Sequence, residues 1–345
     1  MYLTLNEIEN QYDALGKTIS LIEDQEKTID ALYRETKPEK IIFTGCGSSY
    51  MVACSMRSIA LTVLPVPVYA VASGDLWLNI DNYRALLDNA WIISFSRSGK
   101  TSEVLNAYLA IKNLDCHTKF ISVTCSPLSP VERESDLVFC LPWACDQSVC
   151  QTRCVSNLYA AGALLIGIIA QDKKLIDGFS ELQKIGNQYI KQIEQPLSEL
   201  ASHDWTHGIV LADGPYDGLA EEGALTFKEI SQLPSNYYHL LDVRHGPIVV
   251  INQKSLVIIH LHDGERPQEI QLVRDIAKKG ALVITQSNHP IIIEGATNFS
   301  LGHSLHEVAS GIPFVNICQI ITYFKSKSTG ANPDAPTGLD PWIEL

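Results

Sequence analysis

The sequence predicts an α/β protein of two tandem domains, each a parallel five-stranded sheet flanked by helices in a Rossmann-like arrangement. Three observations predict it. Short runs rich in β-branched and aromatic residues alternate with longer stretches of helical periodicity, the pattern of a parallel sheet covered on both faces. Two of these runs, 40–44 and 91–95, lead straight into turns of small and hydroxyl residues that open helices. The pattern then restarts at His207 in a similar order, an offset of about 165 residues that marks two related domains. At 345 residues the chain also exceeds the size at which a single core stops growing.

Residues 1–36 read as amphipathic N-terminal helices, with Ile8, Leu15, Ile19, Ile22, Ile29 and Leu32 among acids and lysines. Pro38 closes that segment, and residues 37–170 make the first domain. Its strands fall at 40–44, 67–71, 91–95, 119–123 and 137–140. Residues 158–169 are almost wholly apolar and read as a buried helix, shorter than the roughly 20 residues a membrane crossing needs. Residues 171–203 read as a helical linker, either one long helix or a pair. The second domain occupies residues 204–328, with strands near 207–212, 237–241, 256–261, 282–285 and 298–301 and an apolar helix over 305–324. Residues 329–345 are a tail expected to close over the site.

Bulk properties exclude several classes. Composition is that of a globular protein, 46% hydrophobic and 19% charged, without low-complexity runs. A net charge of −13 and the lack of a clustered Lys/Arg face exclude a nucleic-acid surface. No signal peptide or membrane span is expected, and the expected location is the cytoplasm. Nine cysteines with no Cys-x-x-Cys fit reduced thiols. Cys145, Cys150 and Cys154 match no zinc spacing, so neither metal nor other cofactor is expected.

Candidate chemistry begins at Ser96-Arg97-Ser98-Gly99-Lys100-Thr101, between a strand and a helix starting near Thr101. The first N–H groups of a helix lack intrahelical acceptors and are partly positive, so such a turn holds an anion readily. Gly99 lets backbone approach a ligand, and the hydroxyls add donors. An ordinary Ser/Gly turn would look the same, but Gly45-Cys46-Gly47-Ser48-Ser49-Tyr50 repeats the arrangement one strand earlier. Both turns lie at the carboxyl ends of strands, where ligands of such sheets sit. In the second domain Glu222 and Glu229 are seven apart on one helix face with Thr226 between them. His245 follows sixteen residues later in Arg244-His245-Gly246-Pro247. Spacing leaves two readings open: an acid–base pair, or a solvated helix face and a loop histidine capping a carbonyl.

Taken together and in this order, these motifs resemble the double sugar-isomerase (SIS) domain family over nearly the whole chain. Gly45–Tyr50 is similar to the family's first sugar-phosphate turn and Ser96–Thr101 to its S-x-S-G-x-T phosphate loop. Ser148-Val149-Cys150-Gln151-Thr152-Arg153 resembles the segment that lines the sugar. Glu222-Gly223-Ala224-Leu225, Lys228-Glu229-Ile230-Ser231 and Arg244–Pro247 resemble the catalytic helix and loop.

The resemblance to the isomerase half of glucosamine-6-phosphate synthase implies that Glu229 moves a proton between C1 and C2. It implies that His245 assists ring opening from the neighbouring subunit of a homodimer. It further implies substrate contacts by Cys46, Gly47, Ser48, Ser49, Ser96, Arg97, Ser98, Thr101, Gln151, Thr152 and Glu222. The synthase's glutaminase domain has no counterpart here, which points away from glutamine-dependent synthesis. Two departures matter: Thr226 stands where that enzyme has a lysine, and Pro341 stands where its tail carries the lysine that forms a Schiff base. Lys327 is the last lysine of this sequence. A substrate already carrying an amine on C1 or C2 supplies its own electron sink. The resemblance therefore points to the family's fructosamine-6-phosphate deglycases. An amino-sugar-6-phosphate deaminase or ketose–aldose isomerase is the alternative, and a non-catalytic sugar-phosphate-binding regulator the third reading.

Overall fold

A computed structural model describes residues 2–340; the last part of the tail, including Pro341, lies outside the described residues. The elements run α1 (Leu3–Glu9), α2 (Gln11–Asp24), α3 (Glu26–Thr36), β1 (Lys40–Gly45), α4 (Ser48–Val63), β2 (Val68–Ala72), α5 (Ser73–Leu78), α6 (Ile80–Leu87) and β3 (Ala90–Ser96). There follow α7 (Ser102–Lys112), β4 (Thr118–Thr124), α8 (Pro130–Arg133), β5 (Leu137–Cys140), α9 (Arg153–Ala170) and α10 (Lys173–Ala201). The second half holds β6 (His207–Leu211), α11 (Asp217–Glu229), β7 (Ser235–Tyr238), β8 (Ser255–His260), α12 (Pro267–Ala277), β9 (Leu282–Ser287), β10 (Ala296–Ser300) and α13 (Gly311–Thr329).

The first sheet has the order β2-β1-β3-β4-β5 and the second β10-β9-β8-β6-β7, all pairings parallel. Read from the strand that follows the first helix of each half, the two orders are the same. In both, the chain reverses direction across the sheet between the first and third strands, β1/β3 and β6/β8. By contact the chain groups into two units. One comprises Asn10–Gln147 and Gln151–Gln183; the other comprises residues up to Glu9, Ser148–Cys150 and Lys184–Leu339.

Alternate residues of the first sheet face opposite layers. Ile42, Ile92 and Phe120 lie in register and pack with Leu76, Leu87, Val104, Tyr108 and Ile111. Phe43 and Phe95 stack on the other face, where Gly162 of α9 lets Met56 and Phe95 approach: a Cβ there would lie 2.5 Å from the Met56 sulfur. Every residue of β3 is buried, as expected of a central parallel strand. In the second sheet Ile209, Leu211, Val257, Ile259 and Val283 pack against Leu272, Val273 and Ile276 of α12. The opposite face receives Phe227 of α11 over Gly208, whose missing side chain makes the room.

Three boundaries differ from the sequence expectation. α9 starts at Arg153, not near 158, because the Asp146 carboxylate accepts the N–H groups of Thr152 (2.7 Å) and Cys154 (3.0 Å). Its polar residues find partners on α2: Ser156 Oγ donates to Gln11 Oε1 (2.5 Å), and Thr18 Oγ1 donates to Asn157 Oδ1 (2.6 Å). At 18 residues α9 is thus long and apolar enough to cross a membrane, yet 83% of it is buried within the protein. It is a core helix. α13 starts at Gly311, not 305, which places Pro313 in the first turn, where its missing N–H costs nothing. β7 pairs over Ser235–Tyr238, earlier than 237–241, and Leu241 leads into a 3₁₀ turn.

Candidate active site

The phosphate-type turn is built by the end of β3 and the start of α7. Ser96 Oγ accepts the N–H of Gly99 at 3.0 Å and lies 3.3 Å from Thr101 Oγ1. Ser98 Oγ accepts the N–H of Lys100 at 3.2 Å. Thr101 is the N-cap of α7 and makes no side-chain capping bond. Gly99 has φ +60°, and a Cβ there would sit 2.3 Å from Ser129 Oγ, so both backbone and space demand glycine. The two cations of the turn differ sharply. Arg97 is buried and Lys100 exposed.

The neighbouring β1–α4 turn holds Cys46, Gly47, Ser48 and Ser49, with both serines buried. Gly45 allows α4 to fold back tightly: a Cβ there would meet the Ser49 backbone at 2.7 Å. β1 and β3 are adjacent, so the two turns lie side by side at the point where the strand order reverses, the usual ligand crevice of such sheets. The Cys46 thiol is pushed up to about 11, first by burial and then by the Glu103 carboxylate, against donors from Ser73 and Gly74. It is therefore a neutral thiol at physiological pH and no nucleophile. Glu103 itself is a residue the sequence reading missed, since an acid in a helix's first turn is ordinary. Its Oε2 is buried with no hydrogen-bond partner among the described residues.

Gln151 and Thr152 immediately precede α9. Thr152 is fully buried, its N–H held by Asp146. Gln151 Oε1 is buried and has no hydrogen-bond donor among the described residues. Arg153 donates to the carbonyl of Cys145 at 2.7 Å.

In the other unit α11 carries Glu222, Thr226 and Glu229. Glu222 and Thr226 are buried, each only 1% exposed, and Glu229 is half-buried at the helix's last residue. The Thr226 hydroxyl turns back to the Gly223 carbonyl (2.7 Å), so it is occupied within its own helix. Gly223 admits Cys318 of α13, whose thiol is pushed up by burial and by the nearby Glu222 carboxylate. Glu221, absent from the sequence reading, also has its carboxyl raised, by burial and then by Asp217. His245 closes the 3₁₀ turn Asp242–Arg244 and is exposed. Arg244 beside it is tied to Asp275 at 2.8 Å, and Gly246 follows with φ +128°. Exposed Leu241, Val249 and Val250 flank this loop.

The structure thus brings together Cys46 through Ser49 with Ser96 through Thr101, and sets Glu222, Thr226 and Glu229 on one helix. Among the described residues no cluster of three or more His, Cys, Asp or Glu could hold a metal ion, and none of the nine cysteines is in a disulfide.

Two parallel sheets of one strand order, the first with hydroxyl-rich turns at its reversal point, are the architecture of this α/β protein, and the chain belongs to the SIS domain family, whose profile matches residues 36–166 and 203–304. Among its relatives, glutamine–fructose-6-phosphate aminotransferase (isomerizing) of Francisella tularensis is 22% identical over 97% of this chain and 57% of its own length. The chain therefore spans little more than half of that relative. Glucosamine-6-phosphate deaminase of Thermotoga maritima superposes with a TM-score of 0.80 at 26% identity, covering 99% of this chain and 100% of its own. Tagatose-6-phosphate ketose/aldose isomerase of Escherichia coli gives a TM-score of 0.86 at 20% identity, over 99% of this chain and 96% of its own.

Proposed function

We propose that this chain is an enzyme converting an amine-bearing hexose 6-phosphate, and that it cleaves a 6-phosphofructosyl (or related glycosyl) amine to a hexose 6-phosphate and the free amine. In this reading the two β–α turns hold the phosphate and sugar oxygens through Ser48, Ser49, Ser96, Ser98 and Thr101, with Cys46, Gly47 and Arg97 shaping the turns. Gln151, Thr152 and Glu222 contact the sugar. His245 acts as general acid in opening the ring. Glu229 takes a proton from C1 of the open-chain ketoamine, giving an enaminol, and returns it to C2. The C1 imine so formed adds water and expels the amine, leaving the aldose 6-phosphate. No external electron sink is used: the substrate's own C2 carbonyl takes the electron pair in the first step, and its nitrogen donates the pair that forms the imine in the second.

The observation that carries the choice of an amine-bearing substrate is the set of side chains on offer: Glu229 ends α11 with Thr226, not a lysine, one turn before it, and Pro341 stands at the place the resemblance gives to the Schiff-base lysine. A second reading, an amino-sugar-6-phosphate deaminase, is favoured by the 26% identity to the Thermotoga maritima deaminase over nearly the entire chain. It uses the same groups, with Glu229 taking the proton from C2. We further propose domain boundaries near residues 37, 171 and 204, a homodimer, and His245 serving the partner's site. The histidine's exposure within an apolar rim supports the dimer.

NMR of the purified protein with fructoselysine 6-phosphate tests the assignment: glucose 6-phosphate and free lysine are expected. Ammonia and fructose 6-phosphate from glucosamine 6-phosphate, with the first substrate untouched, would install the deaminase instead. Sugar-phosphate binding without turnover of either would leave a regulator.

A further inference from the structure

The three residues Ser148–Cys150 group with one unit while the residues on either side group with the other. What holds them is a small ring of hydrogen bonds among three stretches far apart in sequence. Glu7, on α1, is only 2% exposed. Its Oε1 accepts the N–H of Ser148 at 3.1 Å, and its Oε2 accepts the Ser148 hydroxyl. The carbonyl of Asp334 accepts the N–H of Val149 at 2.9 Å. The Asp334 carboxylate in turn accepts the N–H groups of Leu3 (2.9 Å) and Thr4 (2.8 Å) and the Thr4 hydroxyl (2.8 Å). One acid thus caps the helix that presents the other. The charge-assisted bonds of Glu7 to Ser148 are buried, and such bonds are among the stronger ones and costly to lose.

The stretch that follows is pinned from the other end by Asp146, which holds Thr152 and Cys154. Gln151 sits between the two anchors with its buried Oε1 lacking a protein donor. That acceptor suits a sugar hydroxyl, and where it points depends on how the stretch before it is held.

We propose that Glu7 and Asp334 are positioning residues: by fixing Ser148 and Val149 they set the presentation of Gln151 and Thr152 to the sugar. This rests on the reading above that Gln151 and Thr152 contact a hexose 6-phosphate. The phosphate turn at Ser96–Thr101 is built by β3 and α7, elements separate from α1 and the tail, so the effect falls on the sugar and spares the phosphate.

The test is calorimetric binding of fructose 6-phosphate and of inorganic phosphate to the full chain. Wild type is expected to prefer the sugar phosphate. Glu7→Ala is expected to weaken fructose 6-phosphate by about ten-fold or more while inorganic phosphate binds as before, and Glu7→Gln, which keeps an acceptor for the Ser148 N–H, to recover most of the loss. Should Glu7→Ala not fold, Asp334→Ala, which removes the cap of α1, carries the same comparison. A preference retained in the alanine variant overturns the positioning role, as does equal weakening of both ligands. No preference in wild type overturns the substrate reading instead.

Discussion

Glu229 is the last residue of α11, held by the helix and half-buried. Glu222 and Thr226, two turns and one turn earlier on the same face, are more deeply buried, the latter bonded to its own helix. In the proposed reading Glu229, half-buried, takes the proton from a substrate carbon and then gives it back. Glu229→Gln keeps size and shape but cannot accept a proton. We expect turnover to fall by at least about a hundred-fold with sugar-phosphate affinity retained, read by kcat against a separate binding titration. Unchanged kcat would remove Glu229 from the role of base. Cys46 illustrates the opposite case: a cysteine in the middle of the β1–α4 turn that burial keeps protonated, and so a shape-giving residue, not a reactive one.

At the scale of elements, β8 carries a titratable group into the core. His260 ends that strand, 3% exposed, its ring stacked on Tyr216 at 3.7 Å with Phe314 edge-on. Burial, and then His262 and Arg266 nearby, hold its pKa well below the ordinary histidine value, so it is neutral in the folded protein. The unfolded chain takes up a proton near pH 6.5 that the folded chain refuses. The histidine's contribution is therefore fully present above pH 6.5 and is lost as pH falls from there toward the folded pKa, at up to about 1.4 kcal/mol per pH unit. Urea midpoints measured from pH 8 to pH 5 should decline below 6.5, and less steeply in His260→Phe, which keeps an aromatic ring against Tyr216. An identical decline in the variant would assign it to other groups.

For the molecule as a whole, the proposed sharing of a site between two chains makes a distinctive prediction. Neither Glu229→Gln nor His245→Ala should turn over substrate alone. Mixed and allowed to exchange subunits, they should recover up to about a quarter of wild-type activity, since half the dimers are mixed and each has one intact site. Recovery requires that Glu229 and His245 of one site come from different chains. If both came from one chain, every mixed dimer would hold two broken sites, and no activity would return.

Local chemistry in the sequence determined the alternation of strands and helices, the two hydroxyl-rich turns, the glycines at 45, 47 and 99, and the face shared by Glu222, Thr226 and Glu229. These are properties of neighbours a few residues apart, and periodicity and backbone preference express them directly. Even the start of α13 could be read from Pro313. The start of α9 could not, because its cap, Asp146, and the partners of its polar face lie on a preceding loop and on α2. Only the tertiary structure decided that Arg97 is buried while Lys100 is not, that burial and then Glu103 raise the Cys46 thiol, and that Glu7 and Asp334 clasp Ser148 and Val149. Such contacts join residues as far as 331 positions apart, as Leu3 and Asp334 are, and burial and charge at those places are set by whatever the fold brings beside them, which no local pattern encodes.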